Sequence, residues 1–471
     1  MIYDISTLAR AGGQAVGIVR VSRELAQWAH SHRRDVVFAV MDTEIDAFRP
    51  VRPELVSSIL DGTVMVDMSM LPVAHRGSRR EQRSLPRWLR NVQSWLQHPR
   101  RRALVSIEGM RLAGVPLLSR FGEWLSTQLM SARYRRELTD PRGRRRAIVR
   151  YSRAVAAPMD IGADDALLFT GSEWDGVNFE TLRRLKKQNS VAIVVLTYDT
   201  IPLLFPQFYR QTNAESFRRF FDNMIPMADT LIVTARQIEK DAANHCRALG
   251  MRFPPCRVVA LGADPVSVDA SSAPRLPDGL EEGRYALFVS TIEPRKNHAL
   301  LFDVWKRLCA AGVPQAHGFK LVLVGRRGWL VDDLYAELQA FAREGHGLVM
   351  LSNVNDKELG DLYRCAAFGV YPSLYEGYGL PLVEMFHFGK TVLSSNGGAL
   401  AEIAGEFAPC LDPTDPDIWF STLKRWIESP DARVLYENII RERFRHPTWR
   451  EASQQFFDVI DRELNSEIKP S

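Results

Sequence analysis

The chain has 471 residues, 46% of them apolar and 25% charged, with a formal net charge of +5. That length predicts two domains of about 200 residues each, and the composition excludes a fibrous or wholly disordered chain. The net charge averages unlike regions: residues 76–153 hold twenty arginines, no lysine and five acids, a local excess of +15 that leaves the remainder acidic.

In chain order, the N-terminus has no basic flank ahead of an apolar run, so no secretory signal is expected. No stretch reaches the roughly 18 apolar residues of a membrane span. Gly12-Gly13-Gln-Ala-Val-Gly17-Ile-Val-Arg20 follows the first apolar segment and precedes an amphipathic helical pattern. It is a glycine-rich turn without the G-x-G-x-x-G spacing of a dinucleotide site, which argues against an oxidoreductase. Between residues 76 and 153, Trp88, Trp95, Trp124 and Tyr134 interleave with the arginines. A basic, aromatic-bearing surface suits an anionic membrane, at about 1 kcal/mol per basic residue near the lipid. A solvated face is the plain alternative, and nucleic acid a rival that no RNA or DNA motif supports.

From residue 191 onward, β-branched runs at Val191–Leu196, Thr230–Thr234 and Arg257–Leu261 alternate with helical patterns and predict parallel strands joined by helices. The Pro- and Ser-rich stretch Ala263–Gly283 reads as a linker, so a first domain is set at 1–268 and a second at 283–448. The second series predicts strands at 285–290, 320–324, 348–351, 369–372 and 391–394. Helices are expected between them at 299–310, 332–343, 357–365 and 381–388. A last helical pattern, Trp449–Leu464 within 449–471, has a return to the first domain as one option. The five cysteines, Cys246, Cys256, Cys309, Cys365 and Cys410, are odd in number, scattered and without a neighbouring histidine, which predicts reduced thiols, no structural zinc and a cytoplasmic protein.

Doubly wound sheets bind ligands outside the carboxyl ends of their strands, and the chemically loaded stretches fall there. Tyr371-Pro-Ser-Leu-Tyr-Glu376-Gly-Tyr-Gly-Leu-Pro-Leu-Val-Glu384 is a strand end, a turn and a helix start. Gly377 and Gly379 let backbone approach a ligand and leave N–H groups unmasked in the turn Gly377, Tyr378, Gly379, Leu380. Glu376 is expected at the lip of the site, accepting from sugar hydroxyls, and Glu384 two turns later, accepting from a ribose diol. Solvated helix-start charges are the plain reading of both. Arg295 and Lys296 follow a strand next to a helix start, where a fork and a point charge hold phosphate oxygens. Asp199, in Thr197-Tyr198-Asp199, is a candidate site residue or an ordinary helix cap.

The 371–384 stretch resembles the signature of the retaining GT-B glycosyltransferases, the large family 4 or group 1 with many bacterial mannosyl- and glucosyltransferases. Three further blocks carry the likeness: Thr291–His298, Val322–Trp329, and Ser394–Gly405 leading to Leu411-Asp-Pro413. The resemblance implies an α/β GT-B fold, two Rossmann-like domains facing an interdomain cleft. It implies a hexosyltransferase that uses a nucleotide-sugar, GDP-mannose first or a UDP-sugar, with retention and without metal or cofactor. The acceptor it implies is an oligosaccharide or a lipid-diphosphate-linked chain, as in lipopolysaccharide and other cell-surface polysaccharide synthesis, with the enzyme peripheral on the inner face of the cytoplasmic membrane. Residue by residue, it places Glu376, Arg295, Lys296 and Asp199 at the chemistry, Asn353 and Val354 near the base, and Gly13 and Gly17 over the donor phosphate; Arg326, Arg327 and Trp329 lie in the preceding strand-end loop as candidates for the same pocket, with packing an equal reading of Trp329. Tyr198 stands where many relatives carry histidine, which keeps open an alternative: a nucleotide-sugar or carbohydrate-binding protein with weak catalysis.

Overall fold

A computed structural model describes residues 1–11, 17–67, 147–172, 174, 176–264 and 273–467. Gly13, residues 76–146 of the arginine-rich stretch and residues 265–272 of the linker lie outside the described residues.

The first sheet is built from β1 (Ile2–Asp4), β2 (Val37–Asp42), β3 (Ala47–Pro50), β6 (Ala166–Phe169), β7 (Ala192–Thr197), β8 (Thr230–Val233) and β9 (Cys256–Val258), in the order β3-β2-β1-β6-β7-β8-β9. Only β3 runs antiparallel. A separate parallel pair, β4 (Val64–Asp67) with β5 (Ala147–Arg150), brackets the arginine-rich stretch. The second sheet is wholly parallel, in the order β12-β11-β10-β13-β14-β15. Its strands are β10 (Tyr285–Val289), β11 (Lys320–Val324), β12 (Leu348–Leu351), β13 (Phe368–Tyr371), β14 (Val392–Ser395) and β15 (Cys410–Leu411). Val, Ile, Leu and Phe fill the central strands because helices cover both faces.

The strand order of the second sheet reverses between β10 and β13, which pair at Ala286 with Phe368. Connections leaving these two strands go to opposite faces and open a crevice at their carboxyl ends. The Arg295–Lys296 turn leaves β10 and the Glu376 turn leaves β13, so topology alone brings the two together.

The chain passes between domains twice. Ala263 N–H donates to the Pro447 carbonyl at 3.0 Å, and Trp449 N–H donates to Asp264 at 3.1 Å. A Cβ on Gly262 would lie 2.4 Å from Trp449 Cα, so backbone packs on backbone at this crossing. Beyond it, the helix Trp449–Glu467 lies against the first-domain helix Ile18–His32. Phe457 stacks on Trp28 at 5.2 Å, and Arg33 bonds both Asp461 oxygens at 2.9 and 2.8 Å.

Direct contacts also join the domains. Glu402, from the second, accepts from Arg236 N–H at 3.0 Å and Gln237 N–H at 3.1 Å, supplying partners to the otherwise unsatisfied start of the first-domain helix Arg236–Ala248. Trp329 Nε1 donates to the Phe208 carbonyl at 2.7 Å, its ring 6.0 Å from that of Tyr209. Trp329 is thus an interdomain tie, while Arg326 and Arg327 beside it are exposed, Arg327 pairing with Asp332.

Candidate active site

The turn Pro294–Lys296 ends at Asn297, whose left-handed backbone (φ 58°) starts the helix His298–Ala310. Asn297 Nδ2 donates to the carbonyls of Pro372 at 3.1 Å and Pro413 at 2.8 Å, fastening the β10 turn to the loops after β13 and β15. His298 is buried and stacks on Phe288 at 4.6 Å. Burial, and then the Lys296 charge, lower its pKa to about 3, so it sits there as a neutral ring.

Glu376 is 7% exposed and lies inside the second domain, not at the lip of the site. Arg295 Nη1 meets its Oε2 at 2.5 Å, Lys296 Nζ donates to Oε1, and Ser373 Oγ donates to Oε1 at 2.8 Å. These cations draw the carboxylate inward, while the close turn at Gly397 and Gly398 packs on the backbone carbonyls of Ser373, Leu374 and Glu376. A Cβ on Gly398 would meet the Glu376 carbonyl at 2.4 Å. Burial alone would raise the Glu376 pKa, but Arg295 and Lys296, with the hydrogen bonds from Lys296 and Ser373, more than offset it and hold it at about 2. Glu293, also buried, takes Arg295 Nε at 2.7 Å, and burial pushes its own carboxyl up against the pull of Arg295. Burial and the adjacent Arg295 lower the Lys296 ammonium, opposed by Glu376.

Asp199 comes from the first domain, after β7, and faces this cluster. Its Oδ1 accepts from Ile201 N–H at 3.0 Å, one residue ahead of Thr200, which occupies the N-cap of the short helix Ile201–Leu204. Burial raises its pKa, against the attraction of Arg295 and then its own hydrogen bond to Ile201. The approach is close because residue 377 is glycine. A Cβ there would stand 2.4 Å from the Tyr198 carbonyl and 2.7 Å from Asp199 Cβ. Thr234 Oγ1 clamps the same spot, 3.3 Å from both the Tyr198 and Gly377 carbonyls. The Tyr198 hydroxyl donates to the Thr170 carbonyl within its own domain.

The remaining residues divide. Gly379 adopts φ 100° and caps the helix Leu380–His387, with Leu380 half-buried in its first turn. The Tyr378 ring is 6% exposed and its hydroxyl lies 2.9 Å from His446 Nε2 and 3.4 Å from the Leu261 carbonyl, so the side chain serves the domain crossing and only its backbone belongs to the turn. Glu384 is buried and already partnered, Oε2 accepting from the Tyr363 hydroxyl at 2.7 Å and Oε1 from Arg20 at 3.0 Å. Asn353, exposed with φ 61°, and Val354 sit at the carboxyl end of β12, two strands and so about 10 Å from the β10 turn. Val354 lines a cavity of about 560 Å³ with Ser352 and the linker residues Arg275–Pro277. Gly17 (φ 56°) opens the helix that carries Arg20. Ser373, Glu293, Asn297, Tyr363 and Arg20 acquire roles only from the structure; Ser373, three residues before Glu376, had a local signal.

Residues 277–443, which contain Arg295, Lys296, Glu376 and Glu384, match the family described as glycosyl transferases group 1. The match is confined to the second domain. Among curated relatives, the chain is 38% identical over 133 residues to the O-antigen chain mannosyltransferase B of Escherichia coli, 28% of this chain and 34% of that protein. It is 25% identical over 315 residues to the serotype-specific mannosyltransferase WbdA of Escherichia coli, 62% of this chain and 37% of that one. A third likeness, 32% over 117 residues, is to the MMP alpha-(1->4)-mannosyltransferase of Mycolicibacterium hassiacum (strain DSM 44199 / CIP 105218 / JCM 12690 / 3849), covering 24% of this chain and 28% of that protein. The chain thus spans about a third of the length of the first of these relatives. Its two facing parallel-sheet domains make it an α/β protein of the GT-B architecture. No helix among the described residues is long and apolar enough to cross a membrane.

Proposed function

We propose that the chain is a group 1 glycosyltransferase that moves a hexose, mannose first, from a nucleotide-sugar to a growing lipid-linked oligosaccharide in cell-surface polysaccharide synthesis, with retention of anomeric configuration. One observation carries the reading: buried Glu376, held between Arg295 and Lys296 where the strand order reverses, with Asp199 brought opposite by the other domain. The mannosyltransferase names of the relatives support the choice of sugar.

In this reaction the bond from the anomeric carbon to the diphosphate oxygen breaks while the acceptor oxygen bonds to the same carbon. Negative charge grows on the leaving diphosphate, and Arg295 and Lys296 are the groups that stabilise it. They supply the positive charge a metal would bring, so the reading needs no cofactor. Glu376, behind them, keeps both cations aligned. The acceptor proton passes to the leaving phosphate oxygen, and no side chain is assigned as general base.

The test is release of nucleoside diphosphate from GDP-mannose, then from UDP-sugars, with and without lipid-diphosphate-linked oligosaccharide. Transfer that disappears in Lys296→Ala supports the reading. Transfer that survives Lys296→Ala and Glu376→Gln overturns it. The engaged hydroxyl of Tyr198 favours the alternative of a nucleotide-sugar-binding protein with weak catalysis, which predicts donor binding without diphosphate release.

A further inference from the structure

Arg20 lies in the first turn of the helix Ile18–His32, in the first domain, three residues past Gly17. Its guanidinium reaches the second domain, where Nη1 meets Glu384 Oε1 at 3.0 Å, and it also lies 5.6 Å from the centre of the Trp449 ring. The two partners of Glu384 are unequal. Tyr363 is fully buried in the same domain as Glu384 and its 2.7 Å bond is fixed by packing. The Arg20 side chain is 33% exposed, on a long flexible stem, with the acid Glu24 in its neighbourhood. Because Glu384 is only 8% exposed, its charge cannot be left bare, and Arg20 leaves only as another hydrogen-bond donor takes Oε1.

Glu384 is the fifth residue of the helix Leu380–His387. The first-turn N–H groups of that helix lie about 6 Å back along its axis, within the reach of an arginine side chain. We propose that Arg20 is a positioning residue that exchanges Glu384 for the donor's diphosphate: a ribose hydroxyl takes Oε1, and the released guanidinium pairs with the phosphates. This rests on Glu384 as the ribose acceptor in the reading above. No bond is made or broken covalently, and charge is conserved, because the arginine leaves one anion for another. Its consequence is that donor binding is sensed by the opposite domain through a single side chain.

The two halves of the exchange have opposite signs, which separates them from a structural role. Calorimetry on the full chain with guanosine and GDP, and in parallel with uridine and UDP, compares wild type with Arg20→Gln, Arg20→Lys and Glu384→Gln. Arg20→Gln removes a competitor of the ribose and is expected to bind the nucleoside about fivefold more tightly. The same variant loses a phosphate partner and is expected to bind the diphosphate about tenfold more weakly. Arg20→Lys, keeping the charge without the fork, falls between on the diphosphate. Shifts of the same sign for nucleoside and diphosphate, or no shift in either, overturn the exchange. If Glu384→Gln binds the nucleoside as wild type does, the ribose assignment itself fails, whatever Arg20 shows.

Discussion

At the scale of the residue, Glu376 shows how one carboxylate sets a site. Breaking a buried pair leaves uncompensated charge, so Glu376→Gln is expected to cost about 3 to 5 kcal/mol of stability. It is also expected to cut transfer at least about a hundredfold through misaligned Arg295 and Lys296. Urea denaturation and a product assay check the two effects separately. The pH dependence has a definite sign. The Glu376 pKa of about 2 lies below its ordinary value, so its contribution is present above about 4.5 and is lost as pH falls towards 2. The buried rings of His298, at about 3, and His446, where burial brings the value to about 4, act earlier in the same direction. The unfolded chain protonates both below about 6.5 while the folded one resists, so stability falls from about 6.5 towards 4. Urea midpoints measured from pH 7 to 4 are expected to fall less in His298→Gln than in wild type. That Arg295, Lys296 and Glu376 come together was legible from their strand-end positions taken with the family resemblance; residue type alone reads as solvated charge. The inward turn of Glu376 was not legible, because it depends on which charges topology sets against it. The ring of Tyr378 was illegible for a related reason: its backbone belongs to a glycine turn, while its ring points to the crossing at Leu261 and His446.

At the scale of the element, turns rather than helices decide the geometry. Gly377→Ala places a methyl group against the Tyr198 carbonyl and Asp199, and with two domains meeting there the simplest relief is separation. Transfer is expected to fall at least about tenfold, with a loss of stability of only about 1 to 3 kcal/mol, as for other overpacked sites. Activity and small-angle scattering on the same preparation test this, and an unchanged particle size would count against separation. Sequence periodicity located five of the six second-domain strands within a residue or so, because each is a short apolar run in a helix-covered sheet; the two-residue edge strand β15 is too short to leave a pattern. It could not show that Glu402 caps a helix of the other domain, or that Trp329 bonds to Phe208. Such partners are hundreds or scores of residues apart and leave no local pattern.

At the scale of the whole molecule, the helix Trp449–Glu467 holds a disproportionate share of the first domain. Phe456, Phe457, Val459 and Ile460 are buried, and four such side chains are worth roughly 6 to 12 kcal/mol. That is comparable with the entire stability of an ordinary domain. A chain ended after Pro447 is expected to lose the thermal transition of the first domain, as read by differential scanning calorimetry. The arginine-rich stretch between β4 and β5 is legible as a charge and silent as a structure, since its residues 76–146 lie outside the described ones. Its composition predicts binding to vesicles containing anionic lipid that weakens as salt rises; binding that ignores salt would count against the membrane reading.

The return of that last helix also has a consequence in time. A polypeptide emerging from the ribosome presents the first seven-stranded sheet early, yet the segment that covers its helix Ile18–His32 is made after the whole second domain. The second domain, continuous from Tyr285 to Arg443, has every strand it needs before the first is finished. During synthesis Trp28 and its neighbours therefore wait uncovered, a natural holding point for a chaperone, and the later domain matures ahead of the earlier one.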